Sequence, residues 1–151
     1  MHLIRVQKPF DSLFAVILSR VMGFAFTIPG CTIPPEWFSQ VLGAHYGANS
    51  NGMLLLAVAD DQGGIHGHFL AIAEQNYGRK VGWCYQAMLD KGVPPADSHR
   101  LVTEAMGILR EWAQANYCVC LGMTTGRSTK AMQRRFGFQP KFTVMEFPLE
   151  D

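Results

Sequence analysis

Three side chains near the middle of the chain have the chemistry that proton transfer requires. Glu74 and Asp90 lie on or at the end of predicted strands, where a carboxylate can take a proton from an amine. Tyr85 lies in a neighbouring predicted strand, and its hydroxyl can donate a proton. Surface carboxylates and packed aromatic residues have the same types, so both interpretations stay open from the sequence alone.

Two histidines, His66 and His68, alternate along one predicted strand, which places both imidazoles on the same face. Imidazoles are common metal ligands, but a metal site needs a third ligand. Glu74 shares their face and lies further along the strand. We therefore expect two ordinary strand histidines, one of them partly exposed, and no metal.

The spacing of the four cysteines, Cys31, Cys84, Cys118 and Cys120, does not fit a metal or disulfide framework. The sequence contains no two cysteines separated by two residues, the pairing that zinc sites commonly use. Cys118 and Cys120 would point to one face of a strand. We expect buried free thiols in a reducing compartment.

Four basic residues cluster toward the end of the chain: Arg127, Lys130, Arg134 and Arg135. The first three follow helical spacing and therefore share a helix face. Such a face can bind the phosphates of a ligand or a nucleic acid, can bind an acidic partner, or can be solvated. His99, near the start of a predicted helix, can likewise contact a phosphate or be solvated.

The length of 151 residues, at 16.8 kDa, predicts a single domain over residues 1–151. Hydrophobic residues make up 48% and charged residues 17%, so the chain can bury a sizeable core and disorder is excluded. The net charge of +1 provides no general attraction to nucleic acid or to an anionic membrane. Because no apolar stretch fits a membrane span or a secretory signal, we expect a cytoplasmic protein.

Hydrophobic periodicity predicts a mixed α/β order of elements. A first strand and two helices precede three strands that form an antiparallel meander, because their connections are short. The strand–long helix–strand unit beside this meander predicts a mixed sheet with helices on both faces. In chain order, we predict a strand at 2–7, helices at 11–22 and 36–45 separated by a loop at 27–34, meander strands at 53–59, 65–73 and 81–89, a long helix at 97–116 capped by Asp97 or Ser98, a fully buried strand at 117–123, a short helix at 127–136 that stops at Gly137, and a strand at 141–147.

This order, with the string Lys130-Ala131-Met132-Gln133-Arg134-Arg135-Phe136-Gly137-Phe138 before a final strand, resembles the GNAT (Gcn5-related) N-acetyltransferases. The resemblance implies that acetyl-CoA lies in a V-shaped opening between the last meander strand and the strand after the long helix. It also implies that the turn before the long helix presents backbone N–H groups to the pyrophosphate. The corresponding cofactor contacts on this chain are Ala96, Asp97, Ser98, His99, Arg127 and Lys130.

The resemblance also assigns catalytic roles. In that family a tyrosine of the short helix often protonates the departing thiolate, and a carboxylate or a water relay takes the proton of the amine. Gln133 occupies the tyrosine position here, and an amide cannot donate a proton near neutral pH. The candidate catalytic residues are therefore Tyr85, Glu74 and Gln133, with an amine as the second substrate.

The cofactor turn departs from the family's Gly-rich pattern. Ala96 and Ser98 replace two glycines, Pro94 and Pro95 lack N–H donors, and Asp97 adds a negative charge near a polyanion. An acyl-CoA-dependent N-acyltransferase with an eroded cofactor turn is one hypothesis. A second is a non-catalytic structural or adaptor subunit on the same fold, such as one of a tailed-phage particle, which would place the protein in a virion. A third is a nucleic-acid binder that uses the basic helix.

The first forty residues contain six large aromatic side chains, which two short helices cannot bury on one face. We expect the segment 24–38 to contact another chain, either a second copy or a different subunit. Trp37 is the candidate anchor of that contact.

Overall fold

The computed structural model describes residues 1–6, 12–23, 26–28, 31–33, 36, 40, 51–76, 78–123 and 129–139. In chain order its elements are β1 (His2–Arg5), α1 (Ser12–Gly23), β2 (Phe26–Ile28), β3 (Cys31–Ile33), β4 (Met53–Ala59), β5 (Ile65–Asn76), β6 (Arg79–Leu89), α2 (Pro95–Ala115), β7 (Cys120–Met123) and α3 (Thr129–Phe136).

Five of these strands form one mixed sheet in the order β1-β4-β5-β6-β7. The pairs β1/β4, β4/β5 and β5/β6 are antiparallel, and β6/β7 is parallel. The long helix α2 makes the connection between the two parallel strands, as parallel pairing requires. The predicted α/β class, the antiparallel meander and the parallel strand after the long helix are confirmed.

The two faces of the sheet have separate cores. On one face, alternate residues of β4 and β5, such as Leu56 and Phe69, pack against the buried side of α2 with Leu101, Leu109 and Trp112. On the other face, the intervening residues pack around Ile17 of α1; this second core comprises Val6, Ile17, Met53, Leu55, Ala57, Leu70 and Ile72. We call the latter surface the α1 face of the sheet. Because both faces are covered, β4 is an unbroken run of buried apolar residues.

The start of the long helix differs from the prediction. Neither Asp97 nor Ser98 caps it, because the helix begins two residues earlier and Pro94 occupies the N-cap position with no side-chain hydrogen bond. Pro95 fits the first helical position because the N–H that proline lacks would have no partner inside the helix.

The prediction of a fully buried strand at 117–123 is wrong in its first half. Residues 116–118 instead close the end of α2, since their backbone N–H groups donate to carbonyls at Trp112, Ala113 and Gln114. Tyr117 takes a left-handed conformation there, with φ of 57°, and is 87% exposed. The strand begins only at Cys120, which is exposed, and the rest of β7 is half-buried.

The predicted loop at 27–34 is also wrong, because it contains most of an antiparallel pair. Phe26 of β2 lies opposite Ile33 of β3, and Ile28 lies opposite Cys31. The β-branched Thr and Ile residues on both sides favour strands. Of the predicted helix at 36–45, the described residues Glu36 and Gln40 are helical. The rest of that helix, most of the 24–38 segment with Trp37, and the predicted strand at 141–147 lie outside the described residues.

The short helix α3 ends as predicted. Gly137 follows it with φ of 71°, and its backbone N–H donates to the carbonyl of Gln133 at 2.9 Å. A glycine in this left-handed position satisfies one of the last helix carbonyls. None of the described helices combines the length and the apolar character needed to cross a membrane.

The cysteines whose side chains are described are free, and only one of them is buried. Burial raises the pKa of the Cys84 thiol to about 12, so this thiol is unreactive at neutral pH. Cys118 is half-buried and Cys120 is exposed. The expectation of buried thiols is therefore wrong for Cys120, because β7 begins at an exposed position.

Candidate active site

A β-bulge in β6 organises the α1 face of the sheet. Leu70 of β5 lies opposite Gln86, whereas Ala71 lies opposite Cys84, so Tyr85 is an extra residue between two paired ones. An extra residue breaks the alternation of side chains along a strand. Tyr85 packs with the α1-face core and Gln86 contacts His68 on that same face. The bulge therefore places two consecutive polar side chains on one side of the sheet.

The structure brings together two of the three candidate catalytic residues. The hydroxyl of Tyr85 donates a hydrogen bond to Oε1 of Glu74. Glu74 is paired with Val81 of β6, so the Tyr85 side chain extends toward the start of β6 to contact Glu74. Burial raises the pKa of Tyr85 above its usual value, and the hydrogen bond to Glu74 and its negative charge raise it further. Tyr85 is therefore a neutral donor at physiological pH.

The two histidines have different environments. His68 is completely buried, and its Nε2 is hydrogen-bonded to Oε1 of Gln86. Burial lowers the pKa of His68, although the hydrogen bond to Gln86 opposes this effect, so the imidazole is neutral near pH 7. His66 is 33% exposed, as expected for one of the pair, and its Nε2 lies 2.6 Å from Oδ2 of Asp60. Across the described parts of the chain, no three His, Cys, Asp or Glu side chains group as metal ligands.

Asp90, the other candidate base, is engaged in an ion pair. Its Oδ1 accepts from Arg20 of α1 at 2.6 Å, and Arg20 also donates to the carbonyl of Ile65 at 3.3 Å. This pairing joins the end of α1 to the ends of β5 and β6. Because Arg20 already contacts its carboxylate, Asp90 is less available than Glu74 to contact a substrate.

The described part of the parallel pairing between β6 and β7 lies next to the bulge. Among the described residues it runs from Val81 opposite Cys120 to Cys84 opposite Met123, whereas β6 continues to Leu89. Tyr85 follows the last residue of β6 for which a partner in β7 is described.

The N-terminus of α2 has few donors and mixed charge. Ser98 N–H donates to the carbonyl of Pro94 at 2.8 Å, while no side chain caps the N–H groups before it, those of Ala96 and Asp97. The carboxylate of Asp97 accepts from Arg100 at 3.1 Å, which offsets its charge. Pro94 and Pro95 contribute no donor.

Arg135 of α3 lies at this same helix end, which the sequence analysis missed. Its Nη2 donates to the carbonyl of His99 at 2.8 Å. Helical spacing places Arg127, Lys130 and Arg134 on one face of the predicted helix and leaves Arg135 off that face. The hydrogen bond of Arg135 to α2 joins residues far apart in the sequence, so local spacing does not reveal it. Lys130 and Gln133 are exposed on α3, and Arg127 lies outside the described residues.

No protein-family model matches the sequence, and no curated protein matches it. The fold does have solved counterparts. Glucosamine-6-phosphate N-acetyltransferase from Arabidopsis thaliana is similar, with 12% identity and a TM-score of 0.61 over 99% of this chain and 98% of that one. The aminoglycoside antibiotic 6'-N-acetyltransferase AAC(6')-IG from Acinetobacter haemolyticus has 14% identity and a TM-score of 0.63 over 100% and 99%. AAC(6')-Iy, solved with a bisubstrate analogue of CoA and acetylneamine, has 11% identity and a TM-score of 0.64 over 99% and 98%.

These similarities extend over essentially the whole chain and share one architecture. The protein has the fold of the GNAT N-acetyltransferases, as the order of its elements predicts. Because the sequence identities are this low, the comparison establishes the fold, and the activity has to be argued from the site.

Proposed function

We propose that this protein is an N-acyltransferase that moves an acyl group from acyl-CoA to an amine. The observation that carries the proposal is the hydrogen bond between Tyr85 and Glu74 at the bulge of β6. A proton donor and a proton acceptor lie in contact next to the segment of β6 that pairs with β7. By analogy with the GNAT resemblance, we propose that the thioester of acyl-CoA lies between these two strands.

In the proposed reaction the bound ammonium group first releases one proton to solvent. The neutral amine nitrogen then attacks the thioester carbonyl, a carbon–nitrogen bond forms and the carbon–sulfur bond breaks. The Glu74 carboxylate takes the proton that the amine loses, and the Tyr85 hydroxyl gives its proton to the departing thiolate. A proton then moves from Glu74 to Tyr85 along their hydrogen bond. This transfer restores both side chains, and the net result is one proton carried from nitrogen to sulfur.

Gln133 takes no part in this proton transfer. Its amide can hydrogen-bond a substrate but cannot release a proton near neutral pH. Its side chain is exposed on α3. Tyr85 therefore takes the donor role that a tyrosine of the short helix has in the GNAT resemblance.

The residues at the N-terminus of α2 fit the pyrophosphate of acyl-CoA with fewer donors than a Gly-rich turn supplies. The N–H groups of Ala96 and Asp97 and the positive end of the helix remain for an anion. Arg135 adds a cation beside them, and His99, Arg127 and Lys130 are further candidates for phosphate contacts. The two prolines remove donors that each contribute about 1.5–3 kcal/mol toward a charged group, so we propose roughly hundredfold weaker binding than an intact turn would give.

The test is to incubate the protein with acetyl-CoA and a panel of amines and to detect acetylated amine by mass spectrometry. Direct detection is preferable to a thiol reagent, because Cys120 is exposed and would react. Product from at least one amine, with a measurable dissociation constant for acetyl-CoA by calorimetry, supports the proposal. No product and no acetyl-CoA binding would overturn it and favour the non-catalytic structural subunit.

A further inference from the structure

Trp83 lies on the α1 face of the sheet, next to the hydrogen-bonded pair Glu74 and Tyr85. Trp83 is paired with Ile72 of β5, and Ile72 lies between Leu70 and Glu74 on the same face of that strand. Along β6, Trp83 precedes Tyr85 by two residues. Its indole covers Gly122, its partner in β7: a Cβ atom at Gly122 would lie under 3.0 Å from two carbons of the ring. The ring thus packs against the glycine position of β7.

The described residues that neighbour Trp83 on β5 are apolar, with Glu74 next beyond them. Leu70 and Ile72 on the same face are fully buried, and Trp83 itself is half-buried, so part of the indole is exposed. Of the carboxylates in the described segments, Glu74 is the one that acts electrostatically on Tyr85. Among the described residues, Glu74 is thus the carboxylate that lies near Trp83, two positions along β5 from its partner Ile72.

We propose that the amine acceptor is a monocation with a flat apolar body, held against Trp83 with its amine directed to Glu74. An ammonium group near an indole face gains from cation–π attraction, and an apolar body gains from burial against the ring. The other described carboxylates on this face, Asp60 and Asp90, lie near the start of β5 and contact His66 and Arg20. A polycationic acceptor would therefore bring further ammonium groups to Trp83 without a second free carboxylate among the described residues, and each would lose water without a partner. This inference rests on the proposed function, because it names the substrate class of the same site.

The experiment measures binding by calorimetry in the presence of CoA, with three probe amines. 2-Phenylethylamine combines one amine with a flat apolar body, butylamine lacks the ring, and neamine carries several amines. The wild-type protein should bind 2-phenylethylamine about tenfold more tightly than butylamine, and more tightly than neamine.

Variants of Trp83 identify the surface responsible. Trp83→Leu should bring the two monoamines to similar affinity, while Trp83→Phe, which keeps an aromatic ring and is the milder change for folding, should keep most of the difference. Tyr117→Leu removes an aromatic side chain that is 87% exposed beyond the end of α2, and it should behave as wild type. Preferred binding of neamine, equal binding of the two monoamines by the wild type, no binding of any probe, or a preference that survives in Trp83→Leu would each overturn the inference.

The two proposals fail separately. A protein that binds 2-phenylethylamine through Trp83 but transfers no acetyl group would overturn the proposed function and leave Trp83 as a binding surface for the amine. A protein that acetylates butylamine and neamine as readily as 2-phenylethylamine would support the proposed function and overturn this inference.

Discussion

The hydroxyl of Tyr85 on β6 donates a hydrogen bond to the carboxylate of Glu74 on β5. The contact depends on the bulge, because Tyr85 is the extra residue between Cys84 and Gln86. Without it, regular alternation would place Tyr85 or Gln86, but not both, on the α1 face. The bulge therefore allows both hydrogen bonds to form on this face, that of Tyr85 with Glu74 and that of Gln86 with the buried His68.

The raised pKa of Tyr85 predicts a loss of stability in base. The unfolded tyrosine titrates near 10.0, and burial and Glu74 make the folded one hold its proton to higher pH. Above pH 10 the unfolded chain therefore binds fewer protons than the native protein, and the free energy of unfolding falls as pH rises. Because the side chain is partly exposed, the slope from this group should be below about 1.4 kcal/mol per pH unit.

The measurement is urea denaturation of wild type and Tyr85→Phe between pH 8 and pH 11. The difference between their free energies of unfolding should stay constant below pH 10. Above pH 10 the free energy of unfolding of the wild type should fall relative to that of Tyr85→Phe. Tyr117→Phe, which removes a hydroxyl from a side chain that is 87% exposed, is the matched control. A difference that does not change with pH would show that Tyr85 titrates normally.

The lowered pKa of His68 predicts a loss of stability in acid. Burial keeps the folded imidazole neutral below its usual pKa of 6.5, so the unfolded chain takes up the proton first. Stability from this group is complete above pH 6.5 and decreases as pH falls toward the folded pKa. His68→Asn should have a flatter dependence between pH 7 and pH 5, while His99→Gln, at an exposed position, should follow the wild type. Equal slopes for wild type and His68→Asn would contradict the buried neutral state.

The contact of Trp83 with Gly122 predicts that Gly122→Ala is destabilising. The new methyl group would overlap the indole ring, and such overpacking costs about 1–3 kcal/mol. The matched control is Gly107→Ala in α2, where a Cβ meets nothing within 4 Å. There the same change should stabilise the helix by about 0.5–1 kcal/mol.

A double variant tests whether the overlap with the Trp83 ring causes the loss of stability in Gly122→Ala. If the overlap with the ring is responsible, Gly122→Ala should cost far less in a Trp83→Leu background, as judged from urea midpoints of the four proteins. An unchanged cost in that background would mean that the methyl group clashes elsewhere.

The prolines at the start of α2 predict a gain of acetyl-CoA affinity on substitution. Pro95→Ala restores a backbone N–H at the first helical position without changing a charge. A donor to a phosphate contributes about 1.5–3 kcal/mol, so calorimetry should detect a dissociation constant at least about tenfold lower. Gly107→Ala, in the middle of the same helix, is the control, with the affinity of the wild type expected. Unchanged affinity in Pro95→Ala would remove the N-terminus of α2 from the binding site.

The sequence predicts those parts of the fold that depend on local patterns. The continuous apolar run at Met53–Ala59 and the helical periodicity of α2 identify two central elements, and Gly137 marks the end of α3. Boundaries are less predictable where two signals compete. The apolar residues after Asn116 fit a buried strand, but the backbone uses them to close the helix before the strand begins.

The site depends on register, which no local pattern reveals. Glu74 and Tyr85 were each candidates, but their hydrogen bond requires the bulge that shifts the pairing of β5 with β6. The same holds for Arg135, whose contact with the carbonyl of His99 joins helices far apart in sequence. Composition and spacing predict the types of the site residues, while the sheet determines which of them meet.

The most direct measurement of the central claim is the rate of acetyl transfer by Glu74→Gln, followed by mass spectrometry of the acetylated amine across pH 6–9. Wild type and Glu111→Gln, which makes the same change on an exposed position of α2, should have equal rates. Glu74→Gln should be slower by about 10²–10⁴-fold, the usual contribution of a general base, with unchanged affinity for acetyl-CoA and the greatest deficit at low pH, where the amine is most protonated. A rate for Glu74→Gln within a few-fold of wild type would contradict the assignment of the Tyr85–Glu74 pair as the catalytic centre.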